Sequence, residues 1–196
     1  MNRFPQIYTR VISKLESKLP SYLKYHNPAH TLYVLEMAEF IGKKEKIADR
    51  DLFLIKIAAL YHDCGFIIQR KDHETISCEM ATKELPEFGF PEEEIKKICG
   101  MIMATKIPQK PKNKLEMILA DADLEYLGTD NFGEISQRLY LEMKHFEPDL
   151  TVEQWNEIQV NFLTNHHYHT NYCQTHREPK KLLNLEKIRK NMRQLG

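Results

Sequence analysis

The segment Asp49-Arg50-Asp51-Leu52-Phe53-Leu54-Ile55-Lys56-Ile57-Ala58-Ala59-Leu60-Tyr61-His62-Asp63-Cys64-Gly65 decides how this chain is read. Asp49 is placed to begin a helix. Leu52, Ile55 and Ala59, with the neighbouring Phe53, Ile57 and Leu60, make that helix apolar nearly all round. A helix of this kind is a buried one. Its apolar run, broken by Lys56, is far too short to span a bilayer. It closes on His62 and Asp63, two polar side chains at the end of the most buried helix. Such groups demand partners, because a buried unpaired carboxylate is strongly unfavourable.

The rest of the chain repeats the helical period. Phe4, Ile7, Val11, Leu15 and Leu19 form a stripe that ends at Pro20. Asn27 is an N-cap followed by Pro28 at the first helical position, where its missing N–H costs nothing, and the helix is expected to run to about Gly42. Asp72 is placed to cap a fourth helix towards Leu85, and Glu92-Glu93-Glu94 puts acid in the first turn of a fifth, where the helix dipole favours it. The proline- and lysine-containing stretch 105–113 reads as a loop. Further helices are expected near 114–127, 131–146, 151–169 and 179–194, with Thr151 and Gln154 as a capping box. No strand run interrupts this pattern. The expected fold is therefore all-α, in one domain over 1–196, with a motif-bearing core at about 25–127 and C-terminal helices at about 131–194.

Composition narrows the partners. Twenty-eight basic residues offset twenty-eight acidic ones, so no clustered positive field supports a nucleic-acid polymer or a membrane surface as partner. Cys64, Cys78, Cys99 and Cys173 lie far apart and read as small hydrophobes of a reduced compartment. Arg10, Lys14, Glu16 and Lys18 break the N-terminal stretch, which lacks a signal-peptide core. A cytoplasmic protein is expected. Oligomeric state leaves no signature in the sequence.

Chemistry concentrates in histidines and aspartates: His26 and His30 at a helix start, the doublet His62-Asp63, and Asp121-Ala122-Asp123. Two imidazoles with two carboxylates form a mixed nitrogen and oxygen donor set, suited to a divalent ion such as manganese, iron, cobalt, nickel or zinc. Four protein ligands leave positions for water and a phosphate oxygen, which metal-assisted hydrolysis requires. No Gly-rich phosphate loop, Gly-x-Ser-x-Gly elbow or His-Glu-x-x-His zinc motif competes.

Tyr25-His26-Asn27-Pro28-Ala29-His30, Ala58-Ala59-Leu60-Tyr61-His62-Asp63 and Leu119-Ala120-Asp121-Ala122-Asp123-Leu124 together resemble the HD superfamily of metal-dependent phosphohydrolases. The signature of that family is a histidine, a His-Asp doublet and a distant aspartate. The resemblance implies a compact helical bundle with a divalent metal (Mn, Fe, Co, Ni, Zn or Mg) on His30, His62, Asp63 and Asp123. It also implies hydrolysis of a phosphate ester or anhydride in a nucleotide or related small metabolite, with Asp63 acting on the attacking water. The Tyr25-His26-Asn27 start is similar to that of cyclic-nucleotide phosphodiesterases, which makes His26 a candidate proton donor to the leaving oxygen. His73 is a candidate for substrate contact or a second metal, against the plainer reading of a first-turn surface residue. A di-iron oxygenase and a non-catalytic signalling module are the other activities this scaffold admits.

Of the two nearby aspartates, Asp123 is the chosen ligand. Residues two apart on a helix diverge by about 200°. With Leu115, Ile118, Leu119, Ala122 and Tyr126 as the apolar stripe, Asp123 falls about 80° from its direction and Asp121 about 120° on the other side. Asp121 is left as a residue behind the ligands or beside the substrate. His166-His167-Tyr168-His169 reads as a solvated helix end, since adjacent helical side chains diverge. Lys106, Lys110, Lys112, Lys114, Arg177, Lys180 and Lys181 are placed either to meet a phosphate-bearing ligand or, as the plainer reading, to form solvated surface charge.

Overall fold

The computed structural model describes residues 3–195. Among them are ten α-helices, three 3-10 turns and no strand: α1 Phe4–Lys18, α2 Pro28–Lys44, α3 Asp49–Tyr61, α4 His73–Glu84, α5 Glu92–Ala104, α6 Lys114–Asp123, α7 Phe132–Phe146, α8 Val152–Asn165, α9 Asn171–His176 and α10 Glu178–Leu195. The bundle is built around α3, which packs against α1, α2, α5 and α6. Every residue from Leu54 to Tyr61 except Lys56 is buried, so the all-round apolar pattern is spent on neighbours at every side. The C-terminal α10 lies against α8, α9 and the 3-10 turn Glu125–Gly128. No helix among the described residues is long and apolar enough to cross a membrane.

Local signals explain most boundaries. The Asn27 side chain accepts from the Ala29 and His30 N–H groups at 2.9 and 3.2 Å, which sets the first turn of α2 and the direction of His30. Thr151 and Gln154 form the capping box of α8. Gly42, the expected end of α2, lies inside it. A Cβ there would come within 2.5 Å of the Leu52 side chain, so this glycine permits close approach of α2 and α3 instead of ending a helix.

Several expectations are corrected. Asp72 does not cap α4 with its side chain; it lies in the left-handed region (φ 54°) and pairs with Lys106 at 2.6 Å. The helix expected to reach 169 stops at Asn165, and His166 is extended. Distant groups capture the segment that follows. Tyr168 Oη donates to the Leu124 and Glu125 carbonyls, and Asp121 accepts from the His169 and Thr170 N–H groups. His166 and Tyr168 are accordingly buried, so 166–169 is no solvated helix end. Lys181 is also buried: its ammonium donates to the His166 carbonyl and pairs with Glu178 at 2.8 Å. Arg177 pairs with the buried Glu125.

Candidate metal centre

Four side chains from three places in the sequence meet at the centre of the bundle. His30 comes from the first turn of α2, His62 and Asp63 from the end of α3, and Asp123 from the last residue of α6. His30 Nε2 lies 3.1 Å from Asp123 Oδ1 and 3.4 Å from Asp63 Oδ2, and His62 Nε2 lies 3.2 Å from Asp63 Oδ2 and 3.6 Å from Asp123 Oδ1. Potential ligand atoms of His30, His62 and Asp123 all fall within 4.8 Å of one another. Asp63 Oδ2 is buried without a well-directed hydrogen bond. An orphaned carboxylate oxygen facing two imidazole nitrogens is costly unless a cation completes it. The N2O2 donor set therefore fits a divalent metal.

Backbone contacts set which nitrogens face inward. His62 Nδ1 lies 2.8 Å from the Ala59 carbonyl, so Nδ1–H donates there and the Nε2 lone pair is left for the centre. His73 follows the same rule, with Nδ1 3.0 Å from the Arg70 carbonyl and Nε2 3.4 Å from Asp63 Oδ1. Glu74 Oε1 stands 3.6 Å from the same His73 nitrogen. Half-buried His73 thus faces the second oxygen of Asp63, which departs from the plain surface reading. Gly65 makes this possible. A Cβ at Gly65 would lie 2.0 Å from the His73 carbonyl oxygen, so the turn after the doublet can press against the start of α4 only with glycine there.

The electrostatics follow from that convergence. Burial opposes charge on His62, yet the Asp63 and Asp123 carboxylates outweigh it and hold its pKa well above the usual histidine range. Burial would likewise raise both aspartates. The imidazoles instead hold Asp63 well below the ordinary carboxylate range and lower Asp123 to about 2.

His26 reaches the same cavity by another route. Its Nδ1 lies 2.5 Å from Glu142 Oε1, and Glu142 Oε2 accepts the Tyr25 and His26 backbone N–H groups at 2.9 and 3.0 Å. Its ring stacks on Phe66 at 4.1 Å. Burial opposes the Glu142 charge, but the His26 imidazole and these two N–H groups lower its pKa. Sequence reasoning missed Glu142, which lies 116 residues from its partner. A signal was present: on α7, Glu142 stands at the i+7 position from Ile135 and i+3 from Leu139, an acid on the apolar stripe.

Asp121 is not brought to this centre. It is fully buried, and its carboxylate accepts from His169 N (2.9 Å), Thr170 N (2.8 Å) and Thr170 Oγ1 (2.7 Å). It ties down the segment before α9. A cavity of about 420 Å³ opens beside the centre and is lined by Tyr25, His26, Asp63, His73 and Asp123 at one side. Arg70, Glu74 and Thr105 join them, and a mainly apolar wall from α7 and α8 forms the other side. Its volume lies within the range of roughly 300–1,000 Å³ typical of small-molecule sites. Among the described residues the four cysteines are free thiols, and none lines this cavity.

Comparison with known proteins follows the same lines. The HD-domain family model matches residues 29–125. A crystal structure described as a predicted HD superfamily hydrolase from an uncultured Thermotogales bacterium superposes with a TM-score of 0.63 at 20% identity, covering 96% of this chain and 92% of that one. YpgQ of Bacillus subtilis, solved in complex with ADP, superposes with a TM-score of 0.60 at 18% identity, covering 95% and 96% of the two chains. Comparison with curated proteins gives no match. The matched stretch contains all four converging side chains, His30, His62, Asp63 and Asp123, and the chain belongs to the HD-domain family.

Proposed function

We propose that this chain hydrolyses a phosphate ester or anhydride of a nucleotide or related small metabolite, with a divalent metal held by His30, His62, Asp63 and Asp123. The observation that carries the reading is the buried, unpartnered Asp63 Oδ2 set against two inward-facing imidazole nitrogens. When bound, such an ion neutralises phosphoryl charge and lowers the pKa of water. The chain's own groups divide the remaining work. Asp63 orients the attacking water or accepts its proton. His26, held through Nδ1 by Glu142, keeps Nε2–H for the leaving oxygen, and Glu142 stabilises the imidazolium before transfer. The apolar wall of the cavity excludes bulk water from the organic part of the substrate. The fold likeness to YpgQ, solved with ADP, supports a nucleotide among the possible substrates.

The test is chelation and reconstitution across a panel of phosphomonoesters, phosphodiesters and nucleotides. Activity is expected to vanish on chelation and to return with a divalent transition metal. Full activity in protein verified as metal-free would sink the reading.

One observation favours a second reading. Asp63 directs Oδ1 towards His73 while Oδ2 faces His30 and His62, an arrangement suited to a carboxylate shared by two cations. Two metals serve hydrolysis equally well, whereas two irons would open di-iron oxygenase chemistry. Metal analysis showing two irons per chain, together with substrate-dependent oxygen consumption, selects that alternative.

A further inference from the structure

The far wall of the cavity is made by residues outside the matched HD stretch. Tyr126 and Phe132 stack at 6.4 Å, and Trp155 and Phe162 of α8 face the same space. Apart from the aromatic polar atoms, this wall offers polar atoms only from Ser136 of α7 and Gln159 of α8 among the described residues. These two are bonded to each other: Ser136 Oγ donates to Gln159 Oε1, while Gln159 Nε2 donates to Asn156 Oδ1 at 3.2 Å. The hydrogen-bonding capacity of the pair is not exhausted. One Gln159 N–H, a lone pair on its oxygen and the Ser136 lone pairs are unspent.

We infer that Ser136 and Gln159 form a base-reading pair, which recognises the edge of a nucleobase carried by the substrate and stacked against the aromatic wall. The inference rests on the phosphohydrolase reading for the phosphate end and specifies what the opposite end selects. A hydrocarbon group seated here would bury the second Gln159 amide N–H without a partner, which is costly. A polyol would press hydroxyls against Phe132, Trp155 and Phe162. A flat heteroaromatic ring avoids both penalties, because its faces meet aromatic side chains and its edge carries the donors and acceptors that the pair lacks. Adjacent donor and acceptor positions on Gln159 match an amide-like base edge.

Trp155 is the only tryptophan of the chain, so base stacking has its own optical readout that needs no turnover. Binding of the four common nucleosides and their 5′-monophosphates is measured by quenching of Trp155, in chelated and in metal-loaded protein. Ribose 5-phosphate and phenyl phosphate serve as probes lacking the base or its edge. At least one base is expected to bind about tenfold or more tighter than either control, as the value of a well-made buried hydrogen bond implies. Gln159→Leu is expected to cut the ratio of nucleotide to phenyl phosphate affinity about tenfold. Gln159→Glu, which keeps the shape but replaces the donor with an acceptor, should change the order of preference among the bases. The inference is overturned if nucleosides and controls bind alike. It is also overturned if Gln159→Leu weakens all ligands equally alongside a loss of thermal stability, since the pair would then only tie α7 to α8. Discriminating nucleoside binding without hydrolysis of any phosphate substrate would overturn the phosphohydrolase reading and leave the base-reading pair standing. Hydrolysis of phosphate esters without base discrimination would do the reverse.

Discussion

Two histidine-rich regions lie close together in this bundle and behave in opposite ways. The first joins His26, His30, His62 and His73. Three of these have Nδ1 committed to an acceptor, and the Nε2 atoms of His30, His62 and His73 meet the Asp63 and Asp123 carboxylates. The second, His166 to His169, has three histidines in four residues but, among the described residues, no carboxylate hydrogen-bonded to the ring of His166. Burial, and then the neighbouring Lys181 ammonium, push the His166 pKa down to about 3, whereas His62 lies well above its ordinary value. Density of histidine therefore does not make a candidate metal centre; convergence with acid does. Asp121 and Asp123 show how sharply the boundary falls. Two residues apart on α6, one meets His30 and the other holds the backbone of the second region.

The strongest way to break this contrast is to remove a side chain from each region. His62→Ala and Asp123→Ala are expected to abolish metal binding. Turnover should fall by more than the roughly 10–100-fold typical of outer partners. The exposed His167→Ala should keep full metal content. Metal analysis of the purified variants decides, and a metal-loaded Asp123→Ala protein would return the ligand role to Asp121. Next in size is His26→Ala, which should retain metal and lose about 10²–10⁴ in rate on substrates with poor leaving groups, with a much smaller loss on good ones. Glu142→Gln should show the same leaving-group dependence in weaker form. Equal losses on both substrate types would reduce His26 to a packing residue.

Smaller effects test the second region. Asp121→Ala removes three hydrogen bonds at a fully buried site and leaves two backbone N–H groups unmet. It is expected to cost about 3 kcal/mol of stability while metal is retained, measurable by urea unfolding and metal analysis of the same sample. The smallest effect is a pH dependence. His166 titrates near 3 when folded and near 6.5 when unfolded, so only the unfolded chain takes up its proton between these values. Its contribution to stability is complete above pH 6.5 and is lost as pH falls towards 3, at up to about 1.4 kcal/mol per pH unit. His166→Phe should flatten that slope between pH 7 and 5. An unchanged slope would show that His166 is not held neutral.

Periodicity and caps were enough to read the all-α fold, because an apolar stripe every 3.6 residues and an Asn-Pro or Thr-x-x-Gln start act within a single turn. The same local signals put His30 at a helix start, His62-Asp63 at a helix end and Asp123 on the inner flank of α6, and the resemblance to the HD superfamily joined them as one candidate set. What lay beyond the sequence depends on contacts between distant segments. Nothing near Glu142 announces that it holds His26, nothing near Asp72 announces Lys106, and the helix after Val152 ends at Asn165 because Asp121, Leu124 and Glu125 bind the following residues. The cavity wall of Ser136, Trp155 and Gln159 exists only where α7 and α8 come together. Local backbone preference writes helices and their ends into a sequence. The pairing of side chains far apart is decided by which faces remain to be buried once those helices pack.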